Sequence, residues 1–321
     1  MKQVKFITGL MAFGVVSLFA GCGEKENEMT KVTLNEVAHS IFYAPQYVAL
    51  ENGYFTQEGL DLDLVTGYGA DKTMAAVISG EAQIGFMGAE ASVYAYLEGA
   101  NDPVINFAQG TQRAGNFLVA REEMADFQWS DLKGKEVLGG RKGGMPEMVF
   151  EYILKENGLD PAKDLSIDQS IDFGSTAAAF SGGKGEFTVE FEPAATTLEK
   201  NGDGFVVASL GVDSGYVPYT SYSAKTSYVE KHPEIIQAFT DGLQKGVDYV
   251  NSHTAEEIAK VIQPQFKEND LDTITRIVER YQSQDTWKEN LVFEKESFEL
   301  LQDILELSLI HISEPTRRTP I

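Results

Sequence analysis

The sequence predicts an α/β fold with parallel strands, arranged as two similar lobes. Its 321 residues, 43% of them hydrophobic, are enough to bury two cores. From Lys31 onward, short apolar stretches of strand character alternate with amphipathic helical stretches, as they do in parallel sheets covered by helices. The stretch AAVISG at residues 75–80, followed by a strand pattern, is echoed by AAAFSG at residues 177–182. This echo predicts that one helix-turn-strand unit is used once in each lobe.

The first lobe is expected to begin with four strands that alternate with three helices. We predict helices at residues 43–52, 71–79 and 89–98, each followed closely by a glycine, with Asp71 as the N-cap of the second helix. The predicted strands lie at residues 32–37, 60–65, 83–87 and 104–108.

A second cycle of strands and helices begins near residue 117. We predict strands at residues 117–120, 136–138 and 187–191, and a helix at residues 146–157 that starts with a proline. After residues 216–222 the chain is expected to turn mostly helical, with a capping box formed by Thr254 and Glu257. Two apolar stripes mark these helices, one at positions 235, 239, 243, 247 and 250 and one at positions 271, 274, 277, 278 and 281.

Charge and cysteine content exclude several classes of function. The chain has 26 Lys and Arg against 49 Asp and Glu, which gives a formal charge of -23. A chain of this sign repels a phosphate backbone, so nucleic acid is excluded as a partner. One cysteine cannot close an intrachain disulfide, build a cysteine-rich zinc site or hold an iron-sulfur cluster. We expect no metal and no cofactor.

The two ends of the chain are set apart from the fold. Lys2 and Lys5 precede an uncharged apolar run at residues 6–20, shorter than the roughly 20 residues that a membrane span needs. The segment LFAGC at residues 18–22 resembles the bacterial lipoprotein box, in which the cysteine becomes the lipidated first residue; an ordinary secretory signal is the alternative. We expect a signal peptide at residues 1–21, lipidation at Cys22, a polar tether at residues 22–30 and a non-native tail at residues 307–321.

Motifs of enzymatic chemistry are missing from the sequence. There is no nucleophile elbow, P-loop or His-Glu-x-x-His, and GYGADK at residues 67–72 lacks the third glycine of a dinucleotide fingerprint. His232, His253 and His311 have no metal-ligand spacing and are interpreted as structural or incidental. His39 follows the first predicted strand, where open parallel sheets place their ligands, so it either contacts a ligand or bonds the local backbone.

Five stretches appear in the order that characterises a known family. They are HSIFYAPQYVA at residues 39–49, ENGYFTQEGL at 51–60, SGEAQIG at 79–85, DLKG at 131–134 and FEP at 191–193. Together they resemble the solute-binding proteins of bacterial ABC importers in the nitrate, sulfonate, taurine and thiamine-pyrimidine group, which is the NMT1/THI5-like and SsuA-like family. The GYF-x-x-EGL stretch is the most specific of them. The resemblance spans nearly all of residues 31–290.

The resemblance implies a two-lobed periplasmic-binding-protein fold of type II, in which each lobe is a mixed, mainly parallel sheet flanked by helices. It assigns residues 31–112 and 220–306 to lobe I and residues 113–219 to lobe II, with hinges near residues 111–115 and 217–222. It also implies a monomer that closes on a small molecule and delivers it to an ABC permease and its ATPase. The family's enzyme branch, a pyrimidine synthase, has a cysteine-rich motif that is missing here, so no enzymatic activity is expected.

The ligand is expected where strand ends converge between the lobes. Residues 39–43, 67–71, 87–90, 109–113, 139–145, 173–176 and 190–192 follow predicted strands and offer free N–H groups at helix starts. The glycine-rich turn at 139–145 is a candidate anion nest or a surface turn. The candidate ligand-binding residues are His39, Phe42, Tyr43, Tyr68, Gly88, Thr111, Arg113, Arg141, Gly143, Gly144, Ser175, Glu190, Glu192 and Tyr222.

These candidates leave the ligand class open between two chemistries. Glu190 and Glu192 leave one strand on the same side and, with the aromatic residues, favour a heterocycle with amino groups such as a thiamine-precursor pyrimidine. Arg113, Arg141 and the glycine nest would instead suit a sulfonate, taurine or nitrate-like anion. We favour the heterocycle. A lipid-anchored sensor that hands its closed form to a signalling receptor is a further alternative.

Overall fold

The computed structural model describes residues 29–139, 143–171 and 173–307. The expected signal peptide, Cys22 and the tail from residue 308 therefore lie outside the described residues. The strands of the described chain are β1 (Thr30–Glu36), β2 (Leu60–Thr66), β3 (Ile84–Gly88), β4 (Val104–Thr111), β5 (Asn116–Ala120), β6 (Glu136–Leu138), β7 (Ser166–Asp168), β8 (Phe187–Phe191), β9 (Phe205–Ser209) and β10 (Thr220–Lys225).

Helices separate most of these strands and are the main regular elements of the described chain after β10. They are α1 (Ala44–Glu51), α2 (Tyr54–Gln57), α3 (Ala70–Ser79), α4 (Glu90–Leu97), α5 (Met145–Glu156), α6 (Thr176–Ser181), α7 (Ala194–Asn201), α8 (Leu210–Asp213), α9 (Thr226–Lys231), α10 (Pro233–Ser252), α11 (Ala255–Ile262), α12 (Leu271–Ser283) and α13 (Lys295–Leu307). None of the helices in the described ranges is long and apolar enough to cross a membrane.

The strands form two five-stranded sheets of matching design. The first has the order β2-β1-β3-β10-β4 and the second the order β7-β6-β8-β5-β9. In each sheet three neighbouring strands are parallel, and one antiparallel strand, β10 or β5, lies between the third strand and the fifth. The predicted fold class, two lobes with mixed and mainly parallel sheets, is confirmed.

The echoed helix-turn-strand unit occupies the same place in both sheets. The first copy forms α3 and β3, and the second forms α6 and β8. β3 and β8 are each the central strand of their sheet, and both are buried along most of their length. The AAVISG and AAAFSG stretches are therefore equivalent parts of the two lobes.

The chain crosses between the sheets twice, at neighbouring points. It leaves the first sheet after β4, enters the second at β5, and returns to the first at β10. The hydroxyl groups of Thr111 and Thr220, at the ends of β4 and β10, lie 2.7 Å apart and join the two crossings. Because the crossings lie side by side, they suit a hinge between the lobes.

Several element predictions are confirmed and a few are wrong. The strands at residues 136–138 and 187–191 and the capping box of Thr254 and Glu257 match the structure. The predicted helical character after residue 222 missed β10, and β7 and β9 were not predicted. Asp71 does not cap α3, because Gly69 occupies the N-cap position and Asp71 lies in the first turn.

The C-terminal helices cover both lobes. α10 buries Phe239, Leu243, Val247 and Val250, as the apolar stripe predicted, and packs on α1. α13 contacts α5, which lies between two strands of the second sheet. The assignment of residues 220–306 to lobe I stays a prediction, and α13 places one contact of this segment on the second lobe.

Candidate functional site

A cleft of about 720 Å³ lies between the two sheets. Its walls are the carboxyl ends of β1, β2, β3 and β8, the starts of α3, α5 and α7, and the second crossing, as expected for ligand sites in open sheets. Six of the seven predicted loop ranges contribute to it; the exception is the range 109–113. The lining residues are Val37, Ala38, His39, Ser40, Tyr43, Tyr68, Gly69, Ala70, Asp71, Lys72, Gly88, Glu90, Met145, Pro146, Gly174, Ala177, Glu190, Phe191, Glu192, Pro193, Ala194, Tyr219 and Thr220.

Six of the candidate residues line this cleft. They lie at or after the carboxyl ends of four strands, two residues each at β1 and β8 and one each at β2 and β3. These residues are His39, Tyr43, Tyr68, Gly88, Glu190 and Glu192.

Phe42 and Tyr222 belong to the core and not to the cleft lining. Phe42 is fully buried and packs against Tyr281 and Tyr219 at ring-centroid distances of 5.2 and 5.7 Å. Tyr222 stacks on Phe86 at 4.0 Å. Each ring already has aromatic neighbours on its faces, so these two side chains hold the lobes' interior together.

Thr111 and Arg113 lie at the first crossing, away from the cleft. β4 is the edge strand of its sheet, beyond β10, so its end does not meet the ends of β1 and β3. The hydroxyl of Thr111 is committed to Thr220, and the Arg113 guanidinium donates to the Gly211 carbonyl at 2.9 Å. The same guanidinium lies over the Tyr216 ring at 4.1 Å. Neither residue lines the cleft.

The glycine-rich turn before α5 contributes its last residues only. The Gly143 N–H donates to the Glu147 carboxylate, and Gly144 precedes α5, so the lining residues there are Met145 and Pro146. Ser175 precedes α6, and its neighbours Gly174 and Ala177 line the cleft in its place. Arg141 lies outside the described residues.

His39 is held by acceptors on both ring nitrogens. Nδ1 is 2.8 Å from the Glu36 carboxylate and Nε2 is 2.9 Å from the Gln265 carbonyl. Burial acts to lower the pKa of His39, but the hydrogen bonds to Glu36 and Gln265 outweigh it and raise the pKa above its usual value. A carboxylate and a carbonyl both accept hydrogen bonds, so this geometry suits a ring that carries hydrogen on both nitrogens. Both nitrogens have protein partners, which leaves the ring surface of His39 for a ligand.

Glu36 organises this side of the cleft, and sequence reasoning missed it. Its fully buried carboxylate accepts hydrogen bonds from Gln46, Tyr47 and Thr66, at 2.8, 2.7 and 3.0 Å, in addition to His39. The only signal in the sequence is an acidic residue inside an apolar strand pattern.

Glu190 is a buried carboxyl group without a cation. It is 3% exposed, and its Oε1 accepts from the Thr188 hydroxyl at 2.6 Å. Burial raises the pKa of Glu190 to about 7, against the smaller opposing effect of hydrogen bonds from Thr188 and Thr176. No Lys, Arg or His among the described residues forms an ion pair with it. A carboxyl group in this state accepts donors from a ligand, or donates its own proton.

Glu192 has the opposite environment, although it lies only two residues further on. Its carboxylate accepts from the Arg280 guanidinium at 2.5 Å and from the N–H and hydroxyl of Thr196, both at 2.9 Å. Burial raises its pKa, opposed by Arg280 and Thr196. The carboxylate oxygens are thus occupied by protein donors, and its backbone carbonyl accepts from the Ser40 hydroxyl at 3.0 Å across the cleft.

Tyr43, Tyr68, Phe191 and Tyr219 give the cleft flat apolar surfaces. Tyr68 is 77% exposed and has a φ of 55°, a left-handed conformation that is costly for a residue with a large side chain. The other three are mostly buried. Tyr68 is therefore the ring most open to an incoming ligand.

Lys72, Asp71 and Glu90 line the cleft and were not among the candidate residues. Glu90 is buried at the start of α4, and its Oε1 accepts from the Met145 N–H of the opposite lobe at 3.3 Å. Its place directly after β3 is the signal that could have identified it. Of the described lining residues, His39 and Lys72 are the basic ones, and in the described ranges no group of three or more His, Cys, Asp or Glu is placed to hold a metal ion.

Comparisons with known proteins agree with this architecture. A family model described as NMT1/THI5 like matches residues 41–257. YtlA of Bacillus subtilis strain 168, which is named as a candidate binding protein, is 46% identical over 289 residues, covering 90% of this chain and 86% of YtlA.

Solved structures share the fold at low identity. The alkanesulfonate-binding protein SsuA of Xanthomonas axonopodis, bound to MOPS, has a TM-score of 0.71 at 14% identity, covering 87% of this chain and 92% of that one. The aliphatic sulphonate-binding SsuA of Escherichia coli has a TM-score of 0.68 at 15% identity, covering 87% and 91%. The nitrate-binding protein NrtA of Synechocystis PCC 6803 has a TM-score of 0.62 at 15% identity, covering 84% and 75%.

Proposed function

The chain belongs to the NMT1/THI5-like family, and from that premise we propose that it is the extracytoplasmic solute-binding subunit of an ABC importer. Its two lobes close on a small molecule in the cleft and present it to a membrane permease that an ATPase drives. The solute is a flat heterocycle with amino groups, of the aminopyrimidine type. No covalent step is involved, so the solute leaves the protein unchanged.

The observation that carries the ligand class is the state of Glu190. A buried carboxyl group with only hydroxyl partners has lone pairs left for the N–H groups of a solute. A sulfonate or nitrate would instead lie beside the Glu190 carboxyl group, which becomes negatively charged near neutral pH and would then repel the anion. The flat surfaces of Tyr43, Tyr68 and Tyr219 suit stacking on an aromatic solute.

The lipoprotein-like segment of the sequence and the family support the proposed location and partners. Cys22 in the lipoprotein box anchors the protein to the outer face of a bacterial membrane, and the polar tether lets the lobes reach the permease. The subunit works as a monomer and has no nucleic-acid partner.

The test is a thermal-shift screen of the purified protein against aminopyrimidines, thiamine, taurine, alkanesulfonates and nitrate. A bound solute at about a hundred times its dissociation constant adds about 2.7 kcal/mol to the free energy of unfolding, which gives a clear shift. We expect a 4-amino-2-methylpyrimidine to stabilise the protein, and the same compound to be recovered unaltered after release.

Matched variants show whether Glu190 reads the solute. Glu190→Gln should weaken aminopyrimidine binding by about tenfold to a hundredfold, the loss expected for a hydrogen bond to a charged group. Glu186→Gln, in the same strand region but exposed and paired with Lys135, should leave binding unchanged. Equal affinity of the wild type and Glu190→Gln for every stabilising compound would contradict the proposed ligand class.

A small anion is the second candidate, and one feature favours it. The start of α3 faces the cleft with Lys72 in its first turn, so the lysine and the positive end of the helix dipole could hold a sulfonate. In that case taurine or an alkanesulfonate stabilises the protein, Lys72→Gln abolishes the shift, and Glu190→Gln does not weaken it.

A further inference from the structure

A row of ion pairs joins helix α12 to the second lobe beside the cleft. The Arg280 guanidinium contacts the Glu192 carboxylate at 2.5 Å and the Glu199 carboxylate at 2.8 Å. Glu199 also pairs with Arg276 at 3.0 Å. Six residues before Arg276, Asp270 at the N-cap of α12 pairs with Lys200 at 3.0 Å. We call these contacts the α12 latch.

The α12 latch runs between the lobes and not within one of them. α12 packs on α11 and on the turn Ile41–Tyr43, and α11 in turn packs on α1; these elements cover the first sheet. Glu192, Glu199 and Lys200 lie at the end of β8 and in α7, which belong to the second sheet. Opening the cleft therefore has to lengthen or break these pairs.

The geometry of α12 makes its pairs sensitive to lobe rotation. The helix ends at the first crossing, where Gln284 donates to the Ala114 carbonyl at 3.1 Å and Tyr281 donates to the Gly115 carbonyl at 3.0 Å. At a rise of about 1.5 Å per residue, Asp270 lies about 21 Å from Gln284 along the helix. A rotation about the crossings thus moves the partners of Arg280 a little and those of Asp270 further.

The latch also fixes one wall of the cleft. Glu192, Pro193 and Ala194 line the cleft, and Arg280 holds the Glu192 side chain while the Glu192 carbonyl accepts from Ser40 of the first lobe. The latch is buried at one end and exposed at the other. The side chains of Arg280 and Glu192 are 18% and 0% exposed, whereas those of Lys200 and Asp270 are 45% and 63% exposed. The buried pair is therefore strong, and the exposed pair is weaker and more sensitive to salt.

We propose that the α12 latch sets the fraction of molecules whose lobes are closed, and that Arg280 is a positioning residue of the cleft that acts through Glu192. The proposal deepens the proposed function, because it rests on lobes that open and close around a solute. It makes closure partly independent of the solute, and it makes the solute's apparent affinity depend on ion pairs of residues that do not line the cleft, namely Arg276, Glu199, Lys200 and Asp270.

The test measures the distance between the lobes without any solute. Cys22 is the only cysteine in the sequence, so in a Cys22→Ser background the substitutions Ala75→Cys on α3 and Ala178→Cys on α6 give two unique sites for spin labels. Both alanines are exposed and outside the latch. Double electron-electron resonance then gives the distribution of distances between the two spin labels, and so between the lobes.

Glu199→Gln is the main variant, because it removes the charge that pairs with Arg276 and Arg280 without disturbing the buried Glu192. The matched control is Glu58→Gln, whose carboxylate pairs with Lys245 within the first lobe and has a similar side-chain exposure, 27% against 18%. Losing two partly exposed ion pairs of ordinary strength should raise the ratio of open to closed molecules by about twofold to thirtyfold. Lys200→Gln removes the outermost pair from an exposed side chain and serves as a second variant.

We expect Glu199→Gln and Lys200→Gln to add a population of longer distances, and Glu58→Gln to match the wild type. Raising the salt from about 0.02 M to about 0.5 M should lengthen the wild-type distances in the same direction. Distributions that are identical in all four proteins at both salt concentrations would overturn the proposal. That result would not bear on the proposed function, which the solute screen tests. Conversely, a screen in which no compound stabilises the protein would count against the proposed function and would not change the distance result.

Discussion

Glu190 links the stability of the protein to pH. Burial raises its pKa to about 7 in the folded protein, whereas the ordinary pKa of a Glu side chain is 4.5. The folded state holds this proton more tightly, so the group's contribution to stability is complete below about pH 4.5 and is lost as the pH rises to about 7. Glu190→Gln, which is neutral at every pH, should therefore exceed the wild type at pH 8 by about 1 to 3 kcal/mol in free energy of unfolding. Denaturant titrations at pH 4.5 and pH 8 measure this difference.

Glu186 provides the control of opposite sign. Hydrogen bonds from Lys135 and the Glu136 N–H lower the pKa of Glu186, so its contribution to stability is present above its unfolded pKa and is lost as the pH falls. Glu186→Gln should cost stability at pH 8 and less at low pH. If Glu190→Gln also lost stability at pH 8, the burial argument for Glu190 would be wrong.

Tyr68 combines an unfavourable backbone conformation with an exposed ring in the cleft. Its left-handed backbone costs more for tyrosine than for glycine, so Tyr68→Gly should raise the free energy of unfolding by about 0.5 to 1 kcal/mol after the extra entropy of glycine is subtracted. The same variant should bind an aromatic solute at least several-fold more weakly, because a stacking surface is lost. Thermal melts and solute titrations measure the two effects separately.

Asp285 has a φ of 56° and lies away from the cleft, so Asp285→Gly is the matched control. Asp285→Gly should gain less stability than Tyr68→Gly, because it loses the hydrogen bond from Tyr216. It should bind solute like the wild type. Unchanged solute affinity in Tyr68→Gly would show that the ring is not part of the site.

The sequence located the cleft better than it identified the groups in it. The loops at strand ends were predictable, because parallel strands bring their carboxyl ends to one edge. The sequence could not separate Glu190 from Glu192, since the partner that neutralises Glu192 is Arg280, 88 residues away. Nor could it decide whether Phe42 faced solvent or core, because an aromatic side chain suits both.

At the scale of elements, the packing of α10 on α1 depends on a glycine. A Cβ on Gly246 would lie 2.2 Å from the Pro45 carbonyl oxygen and 3.0 Å from the Ala49 Cβ. Alanine normally stabilises a helix relative to glycine by about 1 kcal/mol, but here Gly246→Ala must push the two helices apart, so we expect a loss of about 1 to 3 kcal/mol. Denaturant titration of the variant measures the sign directly.

Gly174 is the control for this substitution, because no atom lies within 4 Å of a Cβ built there. Gly174→Ala should be neutral or slightly stabilising. A stable Gly246→Ala variant would mean that α1 and α10 can separate without cost.

Elements with a strong period were predictable, and short polar strands were not. The stripe of α10 and the capping box of α11 match the structure because burial on one face and a local hydrogen bond are both encoded nearby. β10, with the sequence TSYSAK, has few apolar residues, and its strand state depends on pairing with β3 and β4, more than 100 residues earlier. Non-local pairing of this kind leaves little local signal.

At the scale of the whole molecule, three features join the two lobes in addition to the hydrogen bonds that Ser40 and Met145 donate across the cleft. The two crossings lie side by side, the α12 latch lies at the edge of the cleft, and α13 reaches from the end of the chain to α5. The sequence predicted the crossings through the family resemblance. It did not predict the other two, because ion pairs between distant helices and the docking of a terminal helix have no periodic pattern.

The interior position of β10, between β3 and β4, also has a consequence for biosynthesis. Among the described strands, β4 pairs only with β10, so residues 104–111 have no strand partner until residues 220–225 have left the ribosome or the export channel. The second sheet is built from one continuous stretch, β5 to β9, and can assemble in the meantime. The first lobe is therefore begun first and completed last. Until β10 is available, β3 and β4 expose unpaired strand edges that can pair with the wrong strand or with another chain.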